Sequence, residues 1–588
     1  MLNTLQKKLL KQTIIAFDTE TTGLNFDDKL VGVSLAWGTD KSFYLPVAHE
    51  NCKNYSLSEL RFFLTPLLTS SSIVKIFHNF PFDYLQFLKI GIDVKEPYED
   101  TKLLSYLLNP EEKNGLKDLC QRLNLKNKKQ DYKALVKIKN RLTTINKIQV
   151  NKVADYSKTD AKATYEAYLI LNNLLKKDKV LLNWYQIIEL PLAKLLGLMS
   201  YYGIRLDIKY LKNLNFELNK QLKQLEKEIY KLAGKTFNIN STQQLQQILF
   251  SNLRLPAKKF TKKGQISTNE EALERLKSYH PIIEKLLQYR EFNKLQNTYI
   301  SPLPEQVSKK DNRLHTSFLQ TRTATGRLAS QSPNLQNIPK KTLIGRKIRQ
   351  AFISEKGYSF IIADYKQIEL KIISFLAGEE KLYKMFLENK DIHDQTAREL
   401  FSKEYASDSL LARLKAKVLN FGILYGMTPF GLQKNLNCSK AKAQQIIDKY
   451  FETYPRLQAY HQEMKEEALT KGFIKTIVGR KRYIDKIENQ DFLERVAVNT
   501  PIQGSASDII KIAMIQIQNR FEKEKIDGRI LLQVHDELVI EVKEKDINKA
   551  KKIIKEEMTR FKLVFIPKDL EKIMSISLKI AKTWGVKA

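Results

Sequence analysis

The sequence predicts a multidomain α/β protein, and three observations lead to this prediction. The chain has 588 residues, of which 43% are apolar, enough to bury several cores in about three or four domains. Short apolar strands alternate with helical patterns up to about residue 185. Beyond that point a long amphipathic helix precedes two strand-rich segments, and no fixed-period repeat is present.

The net charge of +34 predicts a polyanionic partner. An excess of Lys and Arg neutralises phosphates and releases counterions, so nucleic acid is the expected partner. The alternative is that a composition rich in Lys, Ile and Asn reflects an AT-rich genome. Charge therefore favours nucleic acid binding without deciding it.

The cysteines and the apolar runs indicate the compartment. Cys52, Cys120 and Cys438 are isolated, with neither zinc-ligand spacing nor the pattern of a disulfide framework. No run approaches the roughly 18 apolar residues of a membrane span, and no signal-like core opens the chain. We expect a cytoplasmic, nucleoid-associated protein with no membrane partner, and an organellar origin stays open.

The first predicted strand, Thr13 to Phe17, ends at a pair of acids in the segment IIAFDTETTGL. Asp18 and Glu20 are two residues apart, so both side chains leave the same face of the sheet. Carboxylate oxygens suit hard cations such as Mg²⁺, and two-metal phosphodiester hydrolysis needs several of them. By itself such a pair is common, and a solvated acidic strand end is the alternative.

Two later segments extend this pattern. In HNFPFD, Asn79 and Asp83 are four residues apart, and in YSKTD, Tyr156 and Asp160 share one face of a predicted helix. The region resembles the DEDD exonuclease superfamily, in the subtype found in proofreading domains. The resemblance implies that Tyr156 orients the attacking water and that four carboxylates hold two metal ions, namely Asp18, Glu20, Asp83 and Asp160.

Between the acidic segments, three stretches carry no predicted chemistry. Lys113 to Lys152 is basic and is expected to be mobile surface, and Pro256 to Gln265 is expected to be a loop. From Leu211 apolar residues recur every three or four positions until Gly234, which predicts a long amphipathic helix with a structural role.

Two segments in the second half place acids at strand ends. In YSFIIADYKQIELKIISFL an apolar strand ends at Asp364, and a helical pattern places Glu369 five residues on. In LLQVHDELVIEV two alternating strands flank His535, Asp536 and Glu537, which predicts a hairpin with an acidic tip. Two-metal nucleotidyl transfer requires such acids to meet. The acidic tip alone could equally be an ordinary polar turn.

The segment RLKAKVLNFGILYG predicts a nucleotide-binding helix. Arg413, Lys417, Phe421 and Tyr425 follow at four-residue steps, so two cations and two aromatic rings share one face. The cations suit a triphosphate and the rings can stack on a base. A core helix would not bury those cations.

Two polar segments complete the pattern. TRTATGRLASQSPNLQNIP is rich in turn-forming residues and contains Arg327, and ERVAVNTPIQGSASDIIK contains Arg495, Asn499 and Gln503. Taken together and in chain order, these segments resemble DNA polymerase family A, the polymerase I type, in a Klenow-like arrangement. The resemblance implies a ribonuclease H-like exonuclease domain followed by a right-hand polymerase with palm, fingers and thumb.

The resemblance also implies roles for individual residues. Asp364 and Asp536 would be metal ligands, and Glu537 would join them as a catalytic residue. The implied nucleotide-binding residues are Arg413, Lys417, Phe421, Tyr425, Glu369 and His393. The implied DNA-binding residues are Arg327, Asn337, Arg495, Asn499, Gln503 and His535. Glu369 would exclude ribonucleotides, whereas the alternative is a polar residue placed in the first turn of a helix by its dipole.

The expected activity is template-directed DNA synthesis with 3′→5′ proofreading and without a 5′ nuclease domain. Expected partners are primer–template DNA and deoxynucleoside triphosphates, and a processivity partner is not identified. Each active site is expected to use two Mg²⁺, for which Mn²⁺ can substitute. The protein is expected to be a monomer. The implied domains are an exonuclease (1–185), a helical thumb (186–280), a first palm segment (281–374), fingers (375–490) and a second palm segment (491–588).

Three other classes of protein stay open. A single-subunit RNA polymerase should lack a bulky acid where this chain has Glu369, and an exonuclease with an inert appendage would not need Asp364 and Asp536. A non-catalytic nucleic-acid scaffold would not need six placed carboxylates. Primer extension on a labelled template separates all three from a DNA polymerase.

Overall fold

The computed structural model describes residues 2–127, 132–138, 141–257, 264, 266–484, 489–561 and 566–585. Within these ranges no helix combines the length and the apolar content needed to cross a bilayer. The chain divides into two compact units. The larger comprises Met1–Gly203, His315–Gln336 and Gly357–Ile580, and the smaller comprises Ile204–Leu314, Asn337–Lys356 and Ala581–Ala588.

The N-terminal part of the larger unit contains a mixed five-stranded sheet. In spatial order the strands are Ser42–Pro46, Leu30–Ala36, Ile14–Thr21, Val74–Phe77 and Tyr98–Asp100. The central strand is antiparallel to the second strand and parallel to the fourth. It was predicted to end at Phe17 but continues to Thr21, because residues 18–20 pair with residues 32–34.

Several helices belong to the same part of the chain as this sheet, and the longest of them packs on it. Their bounds are Leu2–Leu9, Leu57–Leu68, Phe80–Lys89, Thr101–Leu108, Leu116–Arg122, Tyr132–Leu135 and Val150–Leu175. The prediction of mobile surface between Lys113 and Lys152 is wrong for some of that stretch. Val136, Ile145 and Ile148 are buried in one cluster with Val31, because apolar residues spaced among the lysines reach the core.

Three helical pieces lead out of this region. They are Lys179–Trp184, a π-helical turn Tyr185–Glu189, and Leu190–Tyr202. A short antiparallel pair, Ser317–Leu319 with Ala329–Gln331, follows in the same unit. It brackets the segment that contains Arg327.

A second sheet in the larger unit has four strands. In spatial order they are Gly528–Val534, Glu537–Lys543, Tyr358–Tyr365 and Ile576–Ala581. The predicted hairpin is confirmed, since the first two strands are antiparallel and only residues 535 and 536 separate them. The predicted change from strand to helix after Asp364 is also confirmed, because helix Ile368–Leu376 begins shortly beyond the strand.

The remaining elements of this unit are mostly helices. They are Glu380–Leu387, Ile392–Leu400, Ser402–Ser407, Ser409–Leu424, Pro429–Leu436, Lys440–Thr453, Pro455–Lys471, Gln490–Lys523, Ile547–Thr559 and Lys568–Ile573, with a hairpin of Phe473–Lys475 and Lys481–Tyr483. The predicted nucleotide-binding helix is Ser409–Leu424. Its N-terminus is capped by Asp408, which accepts from the backbone N–H of Leu411, and Tyr425 directly follows its last turn.

The smaller unit contains the long amphipathic helix, observed as Ile208–Ala233. Its leucine stripe from Leu211 onward is buried, and it stops at Gly234, which has a φ of +73°. The other helices are Thr242–Gln246, Glu270–Glu274, Ile282–Leu295 and Leu343–Gln350, beside a sheet of Phe352–Ile353, Ile204–Leu206 and Arg313–Leu314. The predicted loop Pro256 to Gln265 lies mainly outside the described residues.

Candidate active sites

Three of the predicted nuclease acids are joined through the first strand. Asp18 and Glu20 flank Thr19 and share one face of the sheet. The backbone N–H and the hydroxyl of Thr19 donate to Oδ1 of Asp83 at 3.1 and 2.6 Å. Burial, and secondarily the negative charge of Asp18, raises the pKa of Asp83 well above its usual range. Asp18 and Asp83 therefore interact across the same small space.

The helix that carries Asp83 starts at a fixed point. Asn79, which precedes it, has a φ of +83°, and the backbone N–H groups of Asn79 and Phe80 donate to Asp100 at 3.1 and 2.8 Å. Asp100 is buried at the end of strand Tyr98–Asp100. Its role was not predicted, although an acid directly after a short strand is the available signal.

The last nuclease segment lies on helix Val150–Leu175, as predicted. Tyr156 and Asp160 are buried one turn apart, and the ring of Tyr156 meets that of Tyr132 at 6.2 Å. Between them, the hydroxyl of Ser157 donates to Asp18 at 3.3 Å. Ser157 was not predicted, but it joins this helix to the acidic strand.

Tyr44, on strand Ser42–Pro46, lies near the acids of the central strand. The Tyr44 hydroxyl lies 2.8 Å from Nε2 of His49. Burial, then the charges of Glu20 and Asp18, raises the pKa of Tyr44. A Cβ on Gly32, the strand partner of Glu20, would fall inside that hydroxyl. Only glycine leaves room for the phenol there.

The predicted polymerase acids meet at the ends of adjacent strands. Asp364 lies opposite Glu537 in the antiparallel register, and the backbone N–H of Tyr365 donates to the carbonyl of Asp536 at 3.1 Å. Asp364 and Asp536 are thus neighbours across the strand pair. The local patterns had predicted both strand ends but not their register.

The turn between the hairpin strands is held by two glutamines. His535 has a φ of +56°, and the side chain of Gln533 donates to its carbonyl. Gln336 donates to the carbonyl and to Oε1 of Gln533, both at 3.0 Å. These buried amides were not predicted, and they fix the residue that precedes Asp536.

Glu369 contacts two other predicted site residues. It is buried in the first turn of helix Ile368–Leu376. One carboxylate oxygen forms an ion pair with Arg327, and the other accepts a hydrogen bond from the Tyr425 hydroxyl. Burial, then the charge of Glu369, raises the pKa of Tyr425. The phenol therefore remains a donor to the carboxylate.

Arg413, on the predicted nucleotide-binding helix, contacts an acid that was not predicted. Arg413 donates to Oδ2 of Asp391 through Nε at 3.1 Å and Nη2 at 2.6 Å. Asp391 also caps helix Ile392–Leu400. Burial raises the pKa of Asp391, but the hydrogen bond from Arg413 and those from the backbone bring it below its usual range.

His393 lies behind the same helix. Its ring centroid is 5.6 Å from that of Phe421, and its Nδ1 lies 3.1 Å from Nδ2 of the buried Asn420. Burial lowers the pKa of His393 to about 4, with a further contribution from Lys417. The imidazole is therefore neutral at physiological pH.

The remaining predicted DNA contacts lie on two segments. On helix Gln490–Lys523, Asn499 donates to the carbonyl of Tyr425 at 3.4 Å, Arg495 lies beside Gly426, and Gln503 is half-buried. Asn337 is exposed in the smaller unit. The structure therefore links Asn499 and Arg495 to the end of the nucleotide-binding helix.

The sequence matches two family models. One, described as DNA polymerase family A, covers residues 208–586, more than half of the chain. The chain belongs to DNA polymerase family A. The second model, described as a 3′-5′ exonuclease, covers residues 1–176.

Relatives of the chain carry the name DNA polymerase I. The protein from Borreliella burgdorferi is 38% identical over 99% of the chain and 63% of its own length. The thermostable enzyme from Thermus filiformis is 42% identical over 68% of the chain and 49% of its own length. The chain thus spans less than two thirds of the length of either relative.

A solved structure is similar across nearly the entire chain. It is titled as the POL domain of Pol1 from M. smegmatis in complex with DNA primer-template and dNTP. The TM-score is 0.86 at 28% identity, with 99% of this chain and 98% of the other covered. Together with the family models, it confirms the predicted order of an exonuclease region followed by a family A polymerase region.

The donor set of each polymerase-family site fits divalent cations chemically. Both sites present carboxylate oxygens, which Mg²⁺ prefers. Burial, and secondarily the charge of Asp18, raises the pKa of Asp83, and a bound cation would favour its charged form. In the portion of the chain that the structure describes, no three acidic, His or Cys side chains already form a metal cage. The fit therefore rests on the chemistry of the donors.

Proposed function

We propose that this chain copies a DNA template by adding deoxynucleotides to a primer 3′-hydroxyl, and that it removes 3′-terminal nucleotides at a second site. The main observation behind this proposal is that Asp364 and Asp536 meet across one strand pair. Glu369, which follows Asp364 in the sequence, is buried and is held by Arg327 and Tyr425. Family A membership supports this reading.

In synthesis, Asp364 and Asp536 would hold the metal ions, with Glu537 beside them. Two Mg²⁺ ions, or Mn²⁺ in their place, would activate the primer hydroxyl and neutralise the leaving pyrophosphate. Arg413 and Lys417 would grip the triphosphate. Arg413 would exchange its bond with Asp391 for one with phosphate, which preserves its charge pairing when nucleotide binds.

The aromatic residues of the same helix would position the rest of the nucleotide. Phe421 would pack against the sugar with His393 behind it, and Tyr425 would close the template side. Because His393 is neutral, it would not compete with Lys417 for the phosphates.

Glu369 would set the choice of sugar. A pocket that merely lacks a partner for a hydroxyl discriminates by only about a hundredfold. A carboxylate fixed at the 2′ edge adds a clash with ribonucleotides, which is selection against the wrong substrate. The contacts of Glu369 with Arg327 and Tyr425 would hold it in that place.

In editing, four carboxylates would hold the second pair of metal ions, and Tyr156 would orient the attacking water. The four are Asp18, Glu20, Asp83 and Asp160. Thr19 and Ser157 would keep the acidic segments in register through their bonds to Asp83 and Asp18. This site would act on frayed single-stranded primer ends.

Residues from several segments would contact primer–template DNA. These residues are Arg327, Asn337, Arg495, Asn499, Gln503 and His535. We further propose a monomer that works at the nucleoid, with the division into exonuclease (1–185), thumb (186–280), palm (281–374 and 491–588) and fingers (375–490).

Primer extension tests the proposal. The full chain is incubated with Mg²⁺, a labelled primer–template and either deoxynucleotides or ribonucleotides. Template-directed extension with deoxynucleotides is expected, and Asp364→Asn should abolish it. The matched control is Asp527→Asn, an acid beside the same sheet that bonds Tyr358 and lies at the far end of the hairpin. Absence of extension by the unaltered chain would reject synthesis, and a preference for ribonucleotides would favour an RNA polymerase.

A further inference from the structure

The segment His315–Arg327 is held at three points by residues of the exonuclease region and the helical turn after it. The ring of Phe26 stacks on His315 with centroids 3.5 Å apart. The side chain of Gln320 donates to Glu189 at 2.7 Å. The Tyr106 hydroxyl donates to the carbonyl of Thr323 at 2.8 Å. This segment ends at the arginine that forms the ion pair with Glu369.

The third contact continues to Arg327 itself. The hydroxyl of Thr323, whose carbonyl receives Tyr106, donates to the carbonyl of Arg327 at 2.9 Å. Tyr106 is fully buried on helix Thr101–Leu108, and burial raises its pKa, so the hydroxyl remains a donor. The same helix begins at Asp100, which fixes the start of the helix bearing Asp83. Helix Thr101–Leu108 and its capping residue Asp100 thus bond segments that carry residues of both proposed sites.

On its other side, the segment His315–Arg327 is contacted by a buried ion pair. Arg480 donates to Asp508 at 2.6 Å and to the carbonyl of Thr325 at 2.9 Å. Gly326 has a φ of +86°, and a Cβ there would collide with the Arg480 guanidinium. The hydroxyl of Ser507 donates to the Gly326 carbonyl at 2.6 Å. The loop therefore has little room to move on this side.

A second buried ion pair supports the middle contact. Lys511 lies 2.7 Å from Glu189, and neither side chain is exposed. Trp184 also donates to Glu189 at 3.0 Å. Breaking a buried pair leaves an uncompensated charge, so such groups hold one arrangement strongly. Glu189 is therefore fixed at the place where it accepts from Gln320.

We propose that Tyr106, a residue of the exonuclease region, is a positioning residue for DNA synthesis. It touches neither proposed set of metal-binding acids; it acts through Thr323, whose bonds hold Arg327 where it meets Glu369. The inference rests on the proposed function, in which Arg327 contacts primer–template DNA. Loss of the Tyr106 hydroxyl should loosen Arg327 and weaken binding of the primer terminus for extension.

The test compares Tyr106→Phe with Tyr84→Phe in the full chain. Tyr84 is a matched control, since it is also buried in the exonuclease region and its hydroxyl donates to Asp93 at 2.7 Å, away from the loop. Tyr106→Phe should raise the KM for primer–template in extension roughly fivefold, the effect of one hydrogen bond, and lower kcat less. Tyr84→Phe should leave that KM unchanged, and both variants should digest single-stranded DNA like the unaltered chain.

A double-mutant cycle distinguishes positioning from general stability. With Arg327→Ala already present, Tyr106→Phe should change the KM by less than about twofold, because its target has been removed. Equal effects of Tyr106→Phe with and without Arg327 would overturn the inference. So would an unchanged KM, or a loss of single-strand digestion and thermal stability in Tyr106→Phe. Failure of the unaltered chain to extend any primer would reject the proposed function instead.

Discussion

The carboxylate of Glu369 accepts a hydrogen bond from the hydroxyl of Tyr425, which joins the start of one helix to the end of another. The second carboxylate oxygen pairs with Arg327. Arg327, from the segment before strand Ala329–Gln331, and Tyr425, at the end of helix Ser409–Leu424, therefore share the charged group of Glu369.

Replacement of Glu369 should change the choice of sugar. Glu369→Ala removes the proposed clash with a 2′-hydroxyl, so ribonucleotide incorporation should rise by on the order of tenfold or more. Correct incorporation should slow modestly, because Arg327 and Tyr425 lose their partner. Tyr425→Phe, which keeps the carboxylate, should have a smaller effect. Single-nucleotide incorporation with dATP and ATP measures both, and an unchanged preference in Glu369→Ala would remove this residue from the sugar site.

Removal of either cation of the nucleotide-binding helix should weaken nucleotide use. Arg413→Ala or Lys417→Ala deletes a charge proposed to meet the triphosphate, so the KM for deoxynucleotides should rise about tenfold. The affinity for primer–template should change little. Arg398→Ala is the control, since Arg398 pairs with Asp394 on the surface of a neighbouring helix. Equal nucleotide KM values for Arg413→Ala, Lys417→Ala and Arg398→Ala would mean that the helix has another role.

Phe421→Tyr should increase acceptance of dideoxynucleotides. The added phenol would stand beside the sugar and replace the contact that the missing 3′-hydroxyl makes. Phe430→Tyr adds the same hydroxyl at an exposed ring on the next helix and should have no effect. Chain-termination patterns compare the two variants, and identical termination by Phe421→Tyr and the unaltered chain would contradict the proposed place of the sugar.

Acid should destabilise the fold through histidines whose pKa is lowered in the folded chain. Burial, aided by Lys465, lowers the pKa of His461 to about 4, below the unfolded value of about 6.5. The unfolded chain therefore binds the extra proton first, and stability is lost as pH falls from about 6.5 towards 4. His461→Phe should show a smaller drop in melting temperature between about pH 7 and pH 4.5. His393 remains in both proteins, so an equal drop would exclude His461 as a contributor.

Local sequence patterns predicted the acid-bearing elements well. Strand periodicity placed Asp18 beside Glu20, and a change of period located Asp364 and the helix of Glu369. These features depend on residues adjacent in the chain. The same holds for the leucine stripe that begins at Leu211, whose burial follows from helical spacing.

The supporting contacts were beyond such patterns, because their partners are distant in sequence. Thr19 bonds Asp83 across 64 residues, and Arg480 bonds Thr325 across 155. Neither Thr19 nor Arg480 differs by type from many surface residues. Only the packing of whole elements brings these side chains to the site, so the framework of each site had to be observed.

We propose that one chain holds two independent catalytic sites, and paired activity assays on variants of each site test this proposal. Primer extension and single-strand digestion are assayed on the same preparations of Asp364→Ala and of Asp18→Ala combined with Glu20→Ala. We predict that Asp364→Ala loses extension and keeps digestion, whereas the double variant loses digestion and keeps extension, because the acids lie on different sheets. Loss of both activities in either protein would contradict the independence of the two sites. Normal extension by Asp364→Ala would contradict the assignment of Asp364 to the synthesis site.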